Sequence, residues 1–237
     1  MSERIEALEV VEGKHTVRVH YGERTHEIAI SAAETLGLTV GLAVTGALEA
    51  QIEAAADRRT AAARVLRHLR GRPRTASEVR VYLARHGHAA GTIDYVLREL
   101  ESRGLVDDVR YAEWFVGGRL AHRPLGAVRL VRDLCARGVA RPVAENAARN
   151  GVGDREMDLA TAAARTKFVA AQRLGRERGL RRLAGFLAAR GFNDAVVREV
   201  CLRMFAGEPA APRRVFEARP AQKAGLWRRR PRVSEET

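Results

Sequence analysis

Arginine is the reactive side chain that dominates residues 104–139, GLVDDVRYAEWFVGGRLAHRPLGAVRLVRDLCARGV, and no catalytic set accompanies it. Arg119, Arg123, Arg129 and Arg132 carry planar guanidinium forks, which fit phosphate and carboxylate oxygens equally well. His86 and His88 flank Gly87, but no further histidine, cysteine or carboxylate stands at a metal-ligand spacing from them. They read as exposed turn residues. Asp107 and Asp108 are adjacent carboxylates that precede an apolar helical run, a position where an acid satisfies unpaired backbone N–H groups. Tyr111, Trp114 and Phe115 read as packing residues; adjacent Trp and Phe must point in different directions, so one of them is free to face solvent. Cys135 and Cys201 each lie in an apolar helical pattern and read as buried free thiols. Neither a cofactor, a metal nor an enzymatic centre is expected.

The charge distribution points in the same direction. The 237 residues carry a formal charge of +13, with six Lys/Arg against ten Asp/Glu in residues 1–60, 28 against 15 in 61–205, and eight against four in 206–237. The excess therefore sits in the middle region, and a polyanionic partner is expected, either nucleic acid or an acidic protein surface. The plainer alternative is a preference for Arg over Lys on a solvated surface, since only Lys14, Lys167 and Lys223 are lysines. No apolar run approaches the roughly 18–20 residues of a membrane span, and MSERIEALEV lacks the basic-then-apolar order of a signal peptide. A cytoplasmic protein without membrane contact is expected.

The elements that must carry these side chains change character along the chain. Residues 5–30 alternate apolar and polar, with Val17, Val19 and Tyr21, the turn YGER, then His26, Ile28 and Ile30, which predicts a β-hairpin. An Ala-rich helical segment follows, with Ser31 or Ala32 near a short helix start. Gly37, Gly41 and Gly46 are not followed by Lys-Ser/Thr and fit no phosphate loop. Residues 1–59 thus read as a small β-hairpin and helix appendage.

Beyond residue 60 a repeat takes over. Gly87, Gly138 and Gly191 are 51 and 53 residues apart. Leu83, Leu134 and Leu187 stand four residues before them, and Val79, Leu130 and Leu183 eight before, the spacing of one helix face. Each glycine ends one helix and permits the turn into another, whose apolar positions are Ile93 and Val96, Val143 and Ala147, or Val196 and Val200. A further helix precedes each pair, with Asp107 or Asp108, and Asp154, as N-caps. The fold class is mainly all-α, a tandem array of three three-helix modules over 60–106, 107–150 and 151–205. Residues 206–237 hold four of the seven prolines and WRRRPR without an apolar face, and read as a disordered basic tail.

Placed at 100° per residue, Leu130, Val131, Leu134 and Cys135 occupy one arc of their helix, with Arg129, Arg132, Asp133 and Arg137 on the other. Arg72, Arg74, Arg80 and Arg85 take comparable positions in the preceding module, so a basic stripe across modules is expected. A helix-turn-helix reader of DNA bases is disfavoured: the third helices, TIDYVLREL, RPVAENAARN and DAVVREVCLRM, hold few base-reading side chains and several acids. Sequence-independent phosphate contact is compatible with this pattern.

The same run resembles the central signature of RecX regulatory proteins. Gly104, Leu105, Asp107, Asp108, Tyr111, Ala112, Phe115, Arg119, Leu120, Pro124, Gly126, Leu130, Leu134 and Gly138 match it, and LRGRPRTASEVRVYLARHG and LAARGFNDAVVREVC resemble the family's flanking modules. Glu113, Gly117 and Gly118 depart from it. The resemblance implies an elongated, curved array. It further implies a regulator that binds RecA–single-stranded-DNA filaments and mainly inhibits RecA in recombination, DNA repair and the SOS response. Its arginines are then expected to meet the filament's acidic surface and DNA phosphates; nothing in the sequence requires a dimer, and a monomer is expected because a filament already supplies the repeating partner. The expected contacts are Arg119, Arg123, Arg129 and Arg132, with Arg72 and Arg74 as outer members. The alternative is a protein that binds single- and double-stranded DNA without sequence preference through its basic helical surface.

Overall fold

Backbone hydrogen-bonding demand and the period-two pattern produce a sheet at the N-terminus. The structure is a computed structural model and describes residues 3–206. Strands β1 (Ile5–Val11), β2 (Thr16–Tyr21) and β3 (Arg24–Ala29) form an antiparallel sheet in the order β1-β2-β3. The expected hairpin is β2–β3, with Val17 opposite Ile28, Val19 opposite His26, and Gly22 in the turn at φ +54°. The sheet exceeds the hairpin by β1. A register shift between Ile5 and Ala7 breaks that strand's alternation, so its inward residues Ile5 and Leu8 stand three apart, a helix-like spacing.

The helix α1 (Ile30–Thr35) leads to α2 (Gly46–Leu69), whose N-terminus is capped by the Thr45 hydroxyl accepting from the Leu48 N–H at 3.2 Å. Its first half packs Ile52 and Ala55 against Val17, Val19, Tyr21 and Ile28 of the sheet, and its second half buries Ala61 and Val65 in the first helical core. The expected break between residues 59 and 60 therefore falls inside one continuous helix. Ala-rich sequence without an internal Gly or Pro gives the helix no reason to stop there.

Module 1 consists of the second half of α2 with α3 (Ala76–Arg85) and α4 (Ala90–Ser102). Module 2 consists of α5 (Asp108–His122), α6 (Ala127–Cys135) and α7 (Arg141–Val152), and module 3 of α8 (Glu156–Gln172), α9 (Arg176–Ala189) and α10 (Asp194–Met204). Each has its own apolar core. The six residues of the repeat, Val79, Leu83, Leu130, Leu134, Leu183 and Leu187, are all fully buried. Gly87, Gly138 and Gly191 have φ of +80°, +83° and +78° at the ends of α3, α6 and α9, a conformation that favours glycine.

Asp107 caps α5, accepting from the Val109 and Arg110 N–H groups at 2.9 and 3.0 Å. Asp154 does not cap α8. It lies in a 3₁₀ turn, Gly153–Arg155, and Arg155 at φ −84°, ψ 5° takes the N-cap place without a side-chain bond. The chain enters α8 directly from that turn, without the extended residue that side-chain capping uses. Both cysteines are free; Cys201 is buried, which pushes its thiol up to about 11. The tail expected to be disordered lies, from residue 207 on, outside the described residues. No helix among them is long and apolar enough to cross a membrane.

The second helices of the modules meet end to end. The N-terminus of α3 abuts the C-terminus of α6: buried Thr75 donates its hydroxyl to the Arg137 carbonyl at 2.8 Å while accepting from the Glu78 N–H at 3.0 Å. The Asp108 carboxylate, reaching across from module 2, accepts from the Ala76 N–H at 2.9 Å. At the next joint the N-terminus of α6 abuts the C-terminus of α9, with the Gly126 and Val128 N–H groups donating to the Arg190 and Gly191 carbonyls at 3.0 and 3.2 Å. At the second joint unpaired N–H groups of one helix thus meet carbonyls ending another, at the first a hydroxyl and a carboxylate stand between them, and at both opposite dipole ends face each other.

Candidate partner-binding site

A cleft of about 900 Å³ opens beside the joint of modules 1 and 2. Its walls carry Arg74 just before α3, Arg85 at the end of α3, Arg119 on α5, and Arg129 and Arg137 on and after α6. Two carboxylates share it. Glu78 pairs with Arg137 at 2.9 Å and stands 4.0 Å from Arg74, and Asp133 accepts from Arg129 Nε at 2.9 Å. Arg119 lies over the Phe115 ring, 5.0 Å from its centroid, and Arg137 lies 5.3 Å from the same centroid. Among the described residues neither Arg85 nor Arg119 has a carboxylate partner. Five guanidiniums against two carboxylates leave a net positive cleft with room for an anionic group.

Local sequence explains these placements. Helix α6 buries Leu130 and Leu134, so Arg129 and Asp133, one turn apart, share a stripe that flanks the buried face, and Arg137 follows just beyond the helix end. Helix α5 buries Tyr111 and Phe115, and Arg119 one turn on stacks on the outer face of the latter. His68 also lines the cleft and stacks on Tyr82 at 3.9 Å. Burial, and then the Arg74 guanidinium, hold its pKa below the usual histidine range, so at neutral pH it is uncharged.

Of the arginines singled out by sequence, Arg74, Arg119 and Arg129 converge on this cleft. Arg72, Arg123 and Arg132 are exposed and do not line it. Arg137 belongs to the cleft and was not among the expected contacts; it stands in the turn just after α6, where the pair with Glu78 draws it toward α3. Arg80 is tied to Asp94 at 2.5 Å. Trp114 is the exposed member of its pair and Phe115 the buried one.

His86 is an exposed turn residue, as expected, but His88 is not: its side chain is 5 % exposed and Nδ1 lies 2.6 Å from Asp57 Oδ1 of α2. Asp57 also accepts from Thr92 and the Ala89 N–H, so it holds the start of α4. Burial pushes its carboxyl upward, yet these hydrogen bonds prevail and hold its pKa below the ordinary value. Such a long-range partner has no signature in the local sequence around Gly87. The described residues contain no group of three or more His, Cys, Asp or Glu able to hold a metal ion.

Among the third-helix arginines Arg141 pairs with Glu145 at 3.2 Å and Arg203 with Glu199 at 2.7 Å, while Arg98, Arg149 and Arg198 are exposed without a carboxylate partner among the described residues. The joint of modules 1 and 2 is set apart by bringing five guanidiniums to one cleft.

Family models for the first and second three-helix domains of RecX match residues 61–100 and 107–147. The regulatory protein RecX of Halorhodospira halophila is 38% identical over 136 residues, covering 56% of this chain and 81% of that protein. The chain belongs to the RecX family. A second RecX regulatory protein, from Chromohalobacter salexigens, is 39% identical over 133 residues, 56% of this chain and 85% of the relative. Among solved structures, a crystal structure of regulatory protein RecX superposes with a TM-score of 0.73 at 20% identity, covering 84% of this chain and 98% of that one. RecX from Lactobacillus salivarius gives 0.59 at 18% identity, covering 63% and 97%. These two likenesses concern the fold. The two modules that bound the arginine cleft are those matched by the RecX models, and the relatives are named regulatory proteins.

Proposed function

We propose that this protein binds the RecA filament on single-stranded DNA and restrains RecA, damping its ATP hydrolysis, strand exchange and co-protease activity. The observation that carries the reading is the convergence of Arg74, Arg119 and Arg129, with Arg85 and Arg137, on one cleft between the two modules that match the RecX models. Glu78 and Asp133 hold three of these guanidiniums in place in the free protein. Arg85 and Arg119, without carboxylates, make first contact with phosphate or carboxylate groups, and Arg72, Arg123 and Arg132 act as outer contacts. Regulation is stoichiometric: the protein occupies the filament and performs no chemistry.

The test is the ATPase rate of RecA on single-stranded DNA, titrated with this protein, beside its affinity for the same DNA alone. Inhibition is expected at concentrations too low to coat bare DNA. The double charge reversal Arg85→Glu with Arg132→Glu, at exposed positions, weakens inhibition by at least about tenfold, equivalent to about 1.4 kcal/mol. Unchanged inhibition removes these residues from the contact. A rate that falls only at DNA saturation, with an affinity that drops steeply as salt rises, describes instead a sequence-independent DNA binder.

A further inference from the structure

A second concavity, of about 940 Å³, runs between the N-terminal sheet with α1 and module 1, floored by α2. Two adjacent rows of α2 form its floor: Ala50, Ala54, Arg58, Ala62 and Leu66 at four-residue intervals, and beside them Gln51, Ala55, Arg59 and Ala63. From Ala50 to Leu66 the floor is about 24 Å long at 1.5 Å per residue. Alanines keep it low. Leu66, Tyr95 and Leu105 line it and remain 45%, 40% and 49% exposed, so an apolar strip faces solvent along the groove.

The charge along the groove is predominantly positive. Lys14, Arg58, Arg59 and Arg103 line it, against Glu99 alone, which pairs with Arg103 at 2.7 Å. Arg59 pairs with Glu27, outside the lining. Arg58 lies 4.4 Å over the Tyr95 ring and has no carboxylate partner among the described residues. A general abundance of arginine does not account for this, because residues 1–60 carry more acidic than basic groups, and three of their six basic residues line the groove. Arg58, Arg59 and Lys14 are therefore gathered on this side of an otherwise acidic unit.

We infer that this groove binds an amphipathic α-helix of a protein partner, about four turns long, whose apolar stripe lies on the alanine floor and whose flanks are acidic. An apolar trough of that length matches the helix-in-groove mode of recognition, and the basic lining selects the charge of the occupant. The chain's own residues 206–237, with eight basic residues against four acidic, have the wrong sign for it. The inference does not depend on the arginine cleft, which lies at the other joint.

The experiment is fluorescence anisotropy with the full chain and two synthetic peptides of about 18 residues, sharing one Leu/Ala stripe at helical spacing. One carries Glu on its flanks and the other Lys. Saturable binding of the Glu peptide is expected, and the Lys peptide binds at least about tenfold more weakly. Arg58→Glu and Leu66→Glu, both at exposed positions and checked for folding by circular dichroism, each weaken the Glu peptide by a similar factor. Arg85→Glu in the cleft leaves it unchanged, so failure here and failure of the filament reading are separate results. Lack of binding up to about 100 μM, equal binding of both peptides, or insensitivity to both groove variants overturns the inference. A peptide-free dimer seen by sedimentation and abolished by Leu66→Glu also overturns it, in favour of a second copy of this chain.

Discussion

Modules 1 and 2 are joined through side chains, whereas modules 2 and 3 are joined backbone to backbone. At the first joint the Thr75 hydroxyl, the Asp108 carboxylate and the Arg137–Glu78 pair bridge α3 to module 2, and the basic cleft opens alongside. At the second, Gly126 and Val128 bond directly to the carbonyls that end α9, and Arg190 reaches back to the Pro124 carbonyl at 2.9 Å. The repeat glycines register the difference. A Cβ on Gly138 would overlap the side chain of Ser77, while one on Gly191 would overlap the backbone of Arg129 and one on Gly126 the backbone of Gly191. At the free end of the column, Gly87 has open space around its Cβ position. One helix-end geometry thus serves both where backbones touch directly and where side chains intervene beside a basic cleft.

The largest effect is expected from Gly191→Ala. It combines a left-handed conformation costing about 1–2 kcal/mol with overpacking against backbone costing about 1–3 kcal/mol, and both fall on the second joint. Thermal unfolding should show a loss of about 3 kcal/mol or more, and no side-chain deletion on α6 should restore it. Gly138→Ala carries the same conformational strain, but its obstacle is removable. Adding Ser77→Gly should recover about 1 kcal/mol of the loss in denaturant titrations, less the cost of a glycine in the first turn of α3. Equal rescue at both joints would erase the distinction.

Next in size is Asp108. Burial raises its carboxyl above the ordinary value, and nearby Asp107 and Glu78 add to this against the Ala76 N–H. The sign follows: its folded pKa exceeds the unfolded one, so its contribution is full below the ordinary carboxylate range and declines as pH rises through the raised value. Asp108→Asn, which keeps a neutral acceptor for Ala76, should match the parent in acid, lack that decline and so be the more stable of the two at neutral pH. Asp108→Ala should lose about 1–2 kcal/mol as a lost cap. Asp57, with its pKa lowered, provides the opposite sign: its contribution is present above the ordinary range and lost as pH falls below it, so Asp57→Asn should reduce the loss of stability in acid. Stability measured from pH 3 to 7 for both variants checks the pair of slopes. The smallest effect is ionic. Arg137→Gln, breaking a partly exposed pair with Glu78, should change stability by under about 1 kcal/mol, and less at high salt.

Much of the architecture is legible along the chain because it depends on local periodicity. The burial of Val79, Leu83, Leu130, Leu134, Leu183 and Leu187 follows from four-residue spacing, and the positive φ of Gly87, Gly138 and Gly191 from their place at helix ends. Strand β1 escapes this reading because its bulge breaks the alternation, and the continuity of α2 because no residue in it marks which neighbours each half covers. The site is legible only in part. That Arg129 and Asp133 share a stripe is a property of one helix.

What the sequence by itself determined is therefore the set of helices, the face each one buries, the glycines that end them, and an excess of arginine on the opposite faces. The tertiary structure alone decided that Arg74, Arg85, Arg119, Arg129 and Arg137 meet on one cleft while Arg72, Arg123 and Arg132 do not, and that His88 is buried against Asp57. The physical reason is that periodicity specifies direction around an axis, whereas convergence depends on how helix ends abut. Thr75, Asp108 and Gly138 set that relation through contacts between residues tens of positions apart.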